Sequence, residues 1–160
     1  MKSIRSVDAE EVYGYWREWE GVPPGRELRG DITRPLPQDV VWCRAVLEGQ
    51  DASGLYLISS DDLGAISRKS FLVREAAENV KSGFRDSDHS LRLDNLLERD
   101  DGFDPRLVVV SDSIEGPFTI IEGNHRAILM EMDGTLVGQE IYLGMSSAIR
   151  DYTWARKAYR

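Results

Sequence analysis

Five consecutive residues, Glu122-Gly123-Asn124-His125-Arg126, place a carboxylate, an amide, an imidazole and a guanidinium around one glycine bend. They lie between an apolar run, Phe118-Thr119-Ile120-Ile121, and a stretch of strong helix formers, Ala127-Ile128-Leu129-Met130. A strand that enters a helix through such a turn leaves the first helical N–H groups without internal partners, at the positive end of the helix dipole. Gly123 permits a left-handed or closely approached backbone there. His125 and Arg126 add side-chain donors, and together these groups make a cradle for phosphate or carboxylate. Glu122 would repel an anion, so its presence points to a metal ion or to proton abstraction from a substrate hydroxyl. The candidate catalytic residues are therefore Glu122 and His125, and the candidate cofactor-binding residues are Gly123, Asn124, His125 and Arg126. The same residues admit a structural account. Glu122 and Arg126, four apart, can pair and brace the turn, Asn124 can cap the helix, and His125 can pack as a neutral ring.

Other chemistry-bearing residues are scattered. Cys43 is the single cysteine, which excludes an internal disulfide, and its apolar neighbours Val40-Val41-Trp42 point to a buried, inert thiol. Ser59-Ser60-Asp61-Asp62 reads as a helix cap, with Mg²⁺ ligation as the alternative. Arg85, Asp86, Asp88 and His89 form a polar loop able to cover a pocket. Gly144-Met145-Ser146 ends a strand and is a candidate for lining the site.

The remaining constraints come from the chain as a whole. At 160 residues it fits a single domain, 1–160, and its 41% apolar and 30% charged residues are ordinary for a packed globule. A net charge of −8 disfavours nucleic acid as a partner, since binding there relies on Lys and Arg neutralising phosphates. A small-molecule substrate or nucleotide held by a few focused groups is compatible with it. Met1-Lys2-Ser3-Ile4-Arg5 is not followed by a leader-like apolar run, and no window has the length of a membrane span. A cytoplasmic location without membrane attachment is the expectation.

Several elements must position the turn. A helix is expected over Asp8–Glu20, capped by Asp8 with Glu11 as its capping-box partner, and with Val12, Tyr15, Trp16 and Trp19 on one packed face. The Pro-rich stretch Gly21–Gln38 reads as an irregular connection, so that residues 1–38 form an aromatic helical extension. Short strands are expected over Val40–Leu47 and Leu55–Ile58, and helices over Phe71–Lys81 and Leu91–Arg99, with a loop at Ser82–Ser90 between them. Leu107–Val110 is a strand covered on both faces, hairpinned to Phe118–Ile121. A helix then runs His125–Met132 to a stop at Gly134, followed by a strand Val137–Leu143 and a last helix Ser147–Tyr159. The class is α+β, a mixed α/β chain with a small sheet and flanking helices.

The order strand, strand, acidic-Gly-x-x-Arg turn, helix, strand resembles the core of the ParB/sulfiredoxin-like (ParB-like nuclease) superfamily. The resemblance covers about 91–146, with Glu140-Ile141-Tyr142-Leu143-Gly144 as the last strand, and leaves the first ninety or so residues unexplained. It implies a nucleotide, ATP, ADP or CTP, gripped at this turn, with Mg²⁺ as a companion. It also implies a phosphoryl-transfer or nucleotide-hydrolysing enzyme, that is, a kinase of small molecules or a nucleotide hydrolase. Sulfiredoxins carry a catalytic cysteine where this chain has Asn124, which sets that activity aside. Free-serine kinases of this fold carry an acidic-Gly-His-x-Arg turn, with the histidine one position earlier than His125. The alternatives are a non-catalytic regulatory or partner-binding module, in which the turn is a brace, and a DNA-processing protein, which the acidity disfavours.

Overall fold

The apolar run Leu107–Val110, three of its four residues β-branched valines, forms the centre of the fold. Each of its four residues is fully buried, as expected of a strand covered on both sides. In the computed structural model, which describes residues 1–23, 26–28, 30–33, 36–84, 93 and 106–159, this run belongs to a six-stranded mixed sheet. Its strands are β1 (Lys2–Val7), β2 (Val41–Val46), β3 (Leu55–Leu57), β4 (Val108–Ser111), β5 (Phe118–Glu122) and β6 (Glu140–Met145). They lie in the order β1-β2-β6-β4-β5-β3. β4 pairs antiparallel with β5, as the short turn between them requires, and parallel with β6. β3 pairs parallel with β5. The helices are α1 (Ala9–Glu20), α2 (Gly30–Thr33), α3 (Gly49–Ser53), α4 (Asp61–Ile66), α5 (Val73–Lys81) and α6 (Asn124–Asp133). This is a mixed α/β fold with a central sheet and flanking helices.

Two apolar layers sandwich the sheet. On one face α5 and α6 contribute Val73, Ala76, Ala77, Ile128 and Leu129, packed on Val109, Ile120 and Leu143. On the other, Val12 and Trp16 of α1 join Leu28, Ile32 and Leu36, packed on Val108, Val110 and Ile121. Trp42 lies flat against Gly144, where a Cβ would come within 2.7 Å of its ring. Cys43 is buried and unpaired.

Several boundaries differ from the sequence expectation for identifiable reasons. Residues 1–38 were expected as a helical extension, whereas β1 is an edge strand of the same sheet and α1 forms part of the core. β1 has no alternating apolar pattern and is exposed along most of its length, so periodicity could not reveal it. Asp8 caps α1 by accepting from the Glu11 amide at 2.7 Å. The Glu11 carboxylate, assigned to a capping box, accepts instead from Arg5 at 2.7 Å and Tyr142 at 3.3 Å. The last helix is two 3₁₀ turns, Ser147–Asp151 and Arg156–Tyr159, broken where the Trp154 carbonyl accepts from the Ser59 amide at the end of β3. The expected helix Leu91–Arg99, apart from buried Leu93, and the polar loop with Arg85, Asp86, Asp88 and His89 lie outside the described residues. Among the described residues, no helix is long and apolar enough to cross a membrane.

Candidate functional site

The turn sits where two parallel strands end together. Ile120 of β5 is paired with Leu57 of β3, so both chains leave the sheet on the same side, at Ile58 and at Glu122. Gly123 then takes φ 93°, a left-handed conformation, and α6 begins at Asn124. Having no side chain, Gly123 supplies no side-chain cap to the first turn of the helix. Asn124, which the structural account made the cap, is the first residue of the helix instead. Its side-chain oxygen accepts from the Ile58 amide at 3.0 Å and ties the start of α6 to the end of β3. Replacing Asn124 by alanine removes the acceptor of a half-buried amide and should cost about 1–2 kcal/mol, read as a lower urea midpoint at unchanged m-value.

Arg126 is the most enclosed member of the group, with 1% of its surface exposed. Its Nη2 donates to Glu122 Oε1 at 2.9 Å, and its Nη1 donates to the Tyr15 hydroxyl at 3.0 Å. The Trp19 indole covers the guanidinium, 3.9 Å from the carbon to the ring centroid. On another side the guanidinium fills the place of a side chain on Gly123, where an added Cβ would meet Nη2 at 2.8 Å and Leu107 at 2.6 Å. The glycine therefore admits Arg126 itself. Arg126 springs from α6, which packs on α5, and reaches α1 on the opposite face, so one side chain clamps the two layers around the end of the sheet. The pairing expected of Glu122 and Arg126 as a brace is present. His125 is half-buried on the first turn of α6.

Beyond Arg126 the polar contacts continue along α1. The Tyr15 hydroxyl donates to the Arg106 carbonyl at 2.7 Å, and Arg106 Nη1 donates to the Tyr142 hydroxyl at 2.8 Å. The Arg106 guanidinium also packs over both tyrosine rings. Tyr142 is 2% exposed, and burial pushes its phenol above the ordinary value, with nearby Arg106 opposing and Glu11 adding to the rise. Sequence reasoning missed this series. The i, i+4 spacing of Tyr15 and Trp19 signalled a shared face, but nothing in it showed that the face meets cations; Arg106 carried no local signal.

The remaining candidates lie elsewhere. Gly144-Met145-Ser146 does not line the turn. β6 runs parallel to β4 and antiparallel to β5, so its end, paired with Val110 and Ser111, is at the far side of the sheet from Glu122. Ser60 caps α4 through the Leu63 amide at 3.3 Å, as its spacing predicted. Among the described residues, no group of three His, Cys, Asp or Glu is gathered to hold a metal ion. Glu122 is engaged by Arg126 and Asn124 by Ile58. No family model, no curated protein and no solved structure matches the chain. The ParB/sulfiredoxin-like resemblance thus rests on the motif and the order of elements.

Proposed function

We propose that this chain is a nucleotide- or phosphate-binding protein of ParB/sulfiredoxin-like type, with the ligand's phosphate docked on the first turn of α6. The observation that carries the reading is the start of α6 at a left-handed glycine directly beyond the ends of the parallel pair β3 and β5. Ligand crevices in α/β sheets open beyond the ends of the strands, and a helix start supplies amide donors with partial positive charge. The amides of Asn124, His125 and Arg126 make the phosphate contacts in this reading, and the His125 side chain joins them. Arg126 contributes from beneath, holding Glu122 and the backbone in place, rather than by direct contact. The reaction class is small-molecule phosphoryl transfer or nucleotide hydrolysis, which needs chiefly positioning and charge neutralisation. Glu122, held by Arg126, is the carboxylate that this reading assigns to take a proton from a substrate hydroxyl.

Calorimetric titration with ATP, ADP and CTP in the presence of Mg²⁺ tests the reading. Saturable binding of one of them is expected, weakened about tenfold in His125→Ala through loss of one charge-assisted hydrogen bond. Absence of binding by all three, or equal affinity of the variant, would overturn it. One observation, the enclosure of Arg126, favours a second reading, in which the turn is solely a brace within a non-catalytic partner-binding module. That reading predicts no thermal shift with any nucleotide.

A further inference from the structure

After β6 the chain crosses back over the sheet as two 3₁₀ turns, Ser147–Asp151 and Arg156–Tyr159. The first packs on β4 and the second on β3, so the segment spans β5, which lies between them. Its attachments are slight. Its buried apolar residues are Ile149, Ala155 and Ala158, and 3₁₀ turns have poorer hydrogen-bond geometry than α-helix. Arg150 pairs with Asp112, but its side chain is 59% exposed, where an ion pair adds little. The Trp154 carbonyl accepts from the Ser59 amide at 2.8 Å, one residue beyond the Ile58 amide that Asn124 holds. The Tyr159 hydroxyl accepts from the Asp112 amide at 2.8 Å. The layer beneath carries a cost. Thr119 alternates along β5 with Phe118 and Ile120, which face α5 and α6, so its side chain is on the side that the segment covers. It is 1% exposed, and among the described residues its hydroxyl has no hydrogen-bond partner. The same holds for Asp112 Oδ1, on a side chain 9% exposed, and for the buried Trp154 Nε1. Buried polar atoms are normally paired, and an orphaned one carries its full desolvation cost.

We propose that residues 147–159 form a strap that lifts from β4, β5 and β3 as one unit while the sheet stays folded. The hinge is Ser146, which is fixed to the sheet layer: its hydroxyl donates to Asp39 Oδ1 at 2.8 Å and its amide to the Ser111 carbonyl at 3.2 Å. Lifting returns water to Thr119, Asp112 and Trp154, which offsets part of the apolar burial that is lost. Segments with few buried apolar groups are the ones that open below the global unfolding free energy. Opening also frees the Ser59 amide next to the Asn124–Ile58 tie, so the strap reaches the edge of the α6 turn. The inference does not depend on a ligand at that turn.

The test is amide hydrogen exchange of the full chain, read by NMR and corrected for intrinsic rates. Ser59 follows β3 and Asp112 follows β4, at opposite ends of the sheet, and strap atoms accept from both amides. One shared opening should give these two amides equal protection. It should be about a hundredfold below that of the Tyr142 amide, which donates to the Leu107 carbonyl at 2.9 Å in the centre of the sheet. Thr119→Val keeps the shape of the side chain and removes the orphaned hydroxyl, so exchange at Ser59 and Asp112 should slow alike, by about tenfold. Protection at the two amides that matches Tyr142, protection that differs between them by about tenfold or more, or exchange that is unchanged or faster in Thr119→Val would each overturn the proposal.

Discussion

Replacement of Arg126 by alanine is expected to lower the unfolding free energy by about 3–5 kcal/mol, the range found when one member of a buried ion pair is removed. The size of the effect follows from what the guanidinium touches. Glu122 loses the partner at 2.9 Å that compensates its desolvation, and Tyr15 loses the donor at 3.0 Å. The Trp19 indole loses the group beneath it, leaving a void between α1 and α6 that packed neighbours fill only partly. Urea unfolding followed by tryptophan fluorescence reads this directly, because Trp19 lies on the guanidinium. An arginine whose sole task was to meet a ligand would leave the urea midpoint almost unmoved. A shift below about 1 kcal/mol would therefore contradict the clamp described here.

Gly123→Ala is the second large effect, expected at about 2–5 kcal/mol from left-handed strain and overpacking together. The added methyl group has nowhere to go. It would approach Leu107 at 2.6 Å and Arg126 Nη2 at 2.8 Å, and φ 93° is a conformation that alanine resists. Relief requires Arg126 to withdraw, so the loss should overlap with that of Arg126→Ala. The double variant should then be less destabilised than the sum of the two single ones, a coupling that a double-mutant cycle measures. Full additivity would show that the glycine serves something other than the guanidinium.

Much of the centre of the fold was legible because its signals are local. The run Leu107–Val110, the hairpin to Phe118–Ile121, the glycine bend and the stop at Gly134 each follow from residue type within a few positions. The Glu122–Arg126 pair was legible too, as an i, i+4 spacing. What was not legible depends on residues far apart in the chain. Arg126 and Tyr15 are 111 positions apart, and no pattern in either segment announces that α1 crosses the end of the sheet to cover the turn. The left-handed bend at Gly123 was legible, whereas nothing local showed that the space the glycine leaves is taken by Arg126. β1 was missed because an edge strand exposed on most of its surface needs no apolar alternation. The far-side position of Gly144–Ser146 followed only once the parallel pairing of β4 and β6 was known.

Under the proposed function the turn divides its labour: Glu122, Arg126, Asn124 and the α1 aromatics hold it, and the first amides of α6 and His125 are the groups proposed to meet the ligand. Amide chemical-shift mapping on ¹⁵N-labelled chain during titration with Mg-ATP and Mg-CTP tests that division most directly. The account predicts saturable displacement of the Asn124, His125 and Arg126 amide resonances by one of the nucleotides, larger than at any position on β1 or β2. Resonances of those three residues that stay in place to the end of both titrations would contradict it.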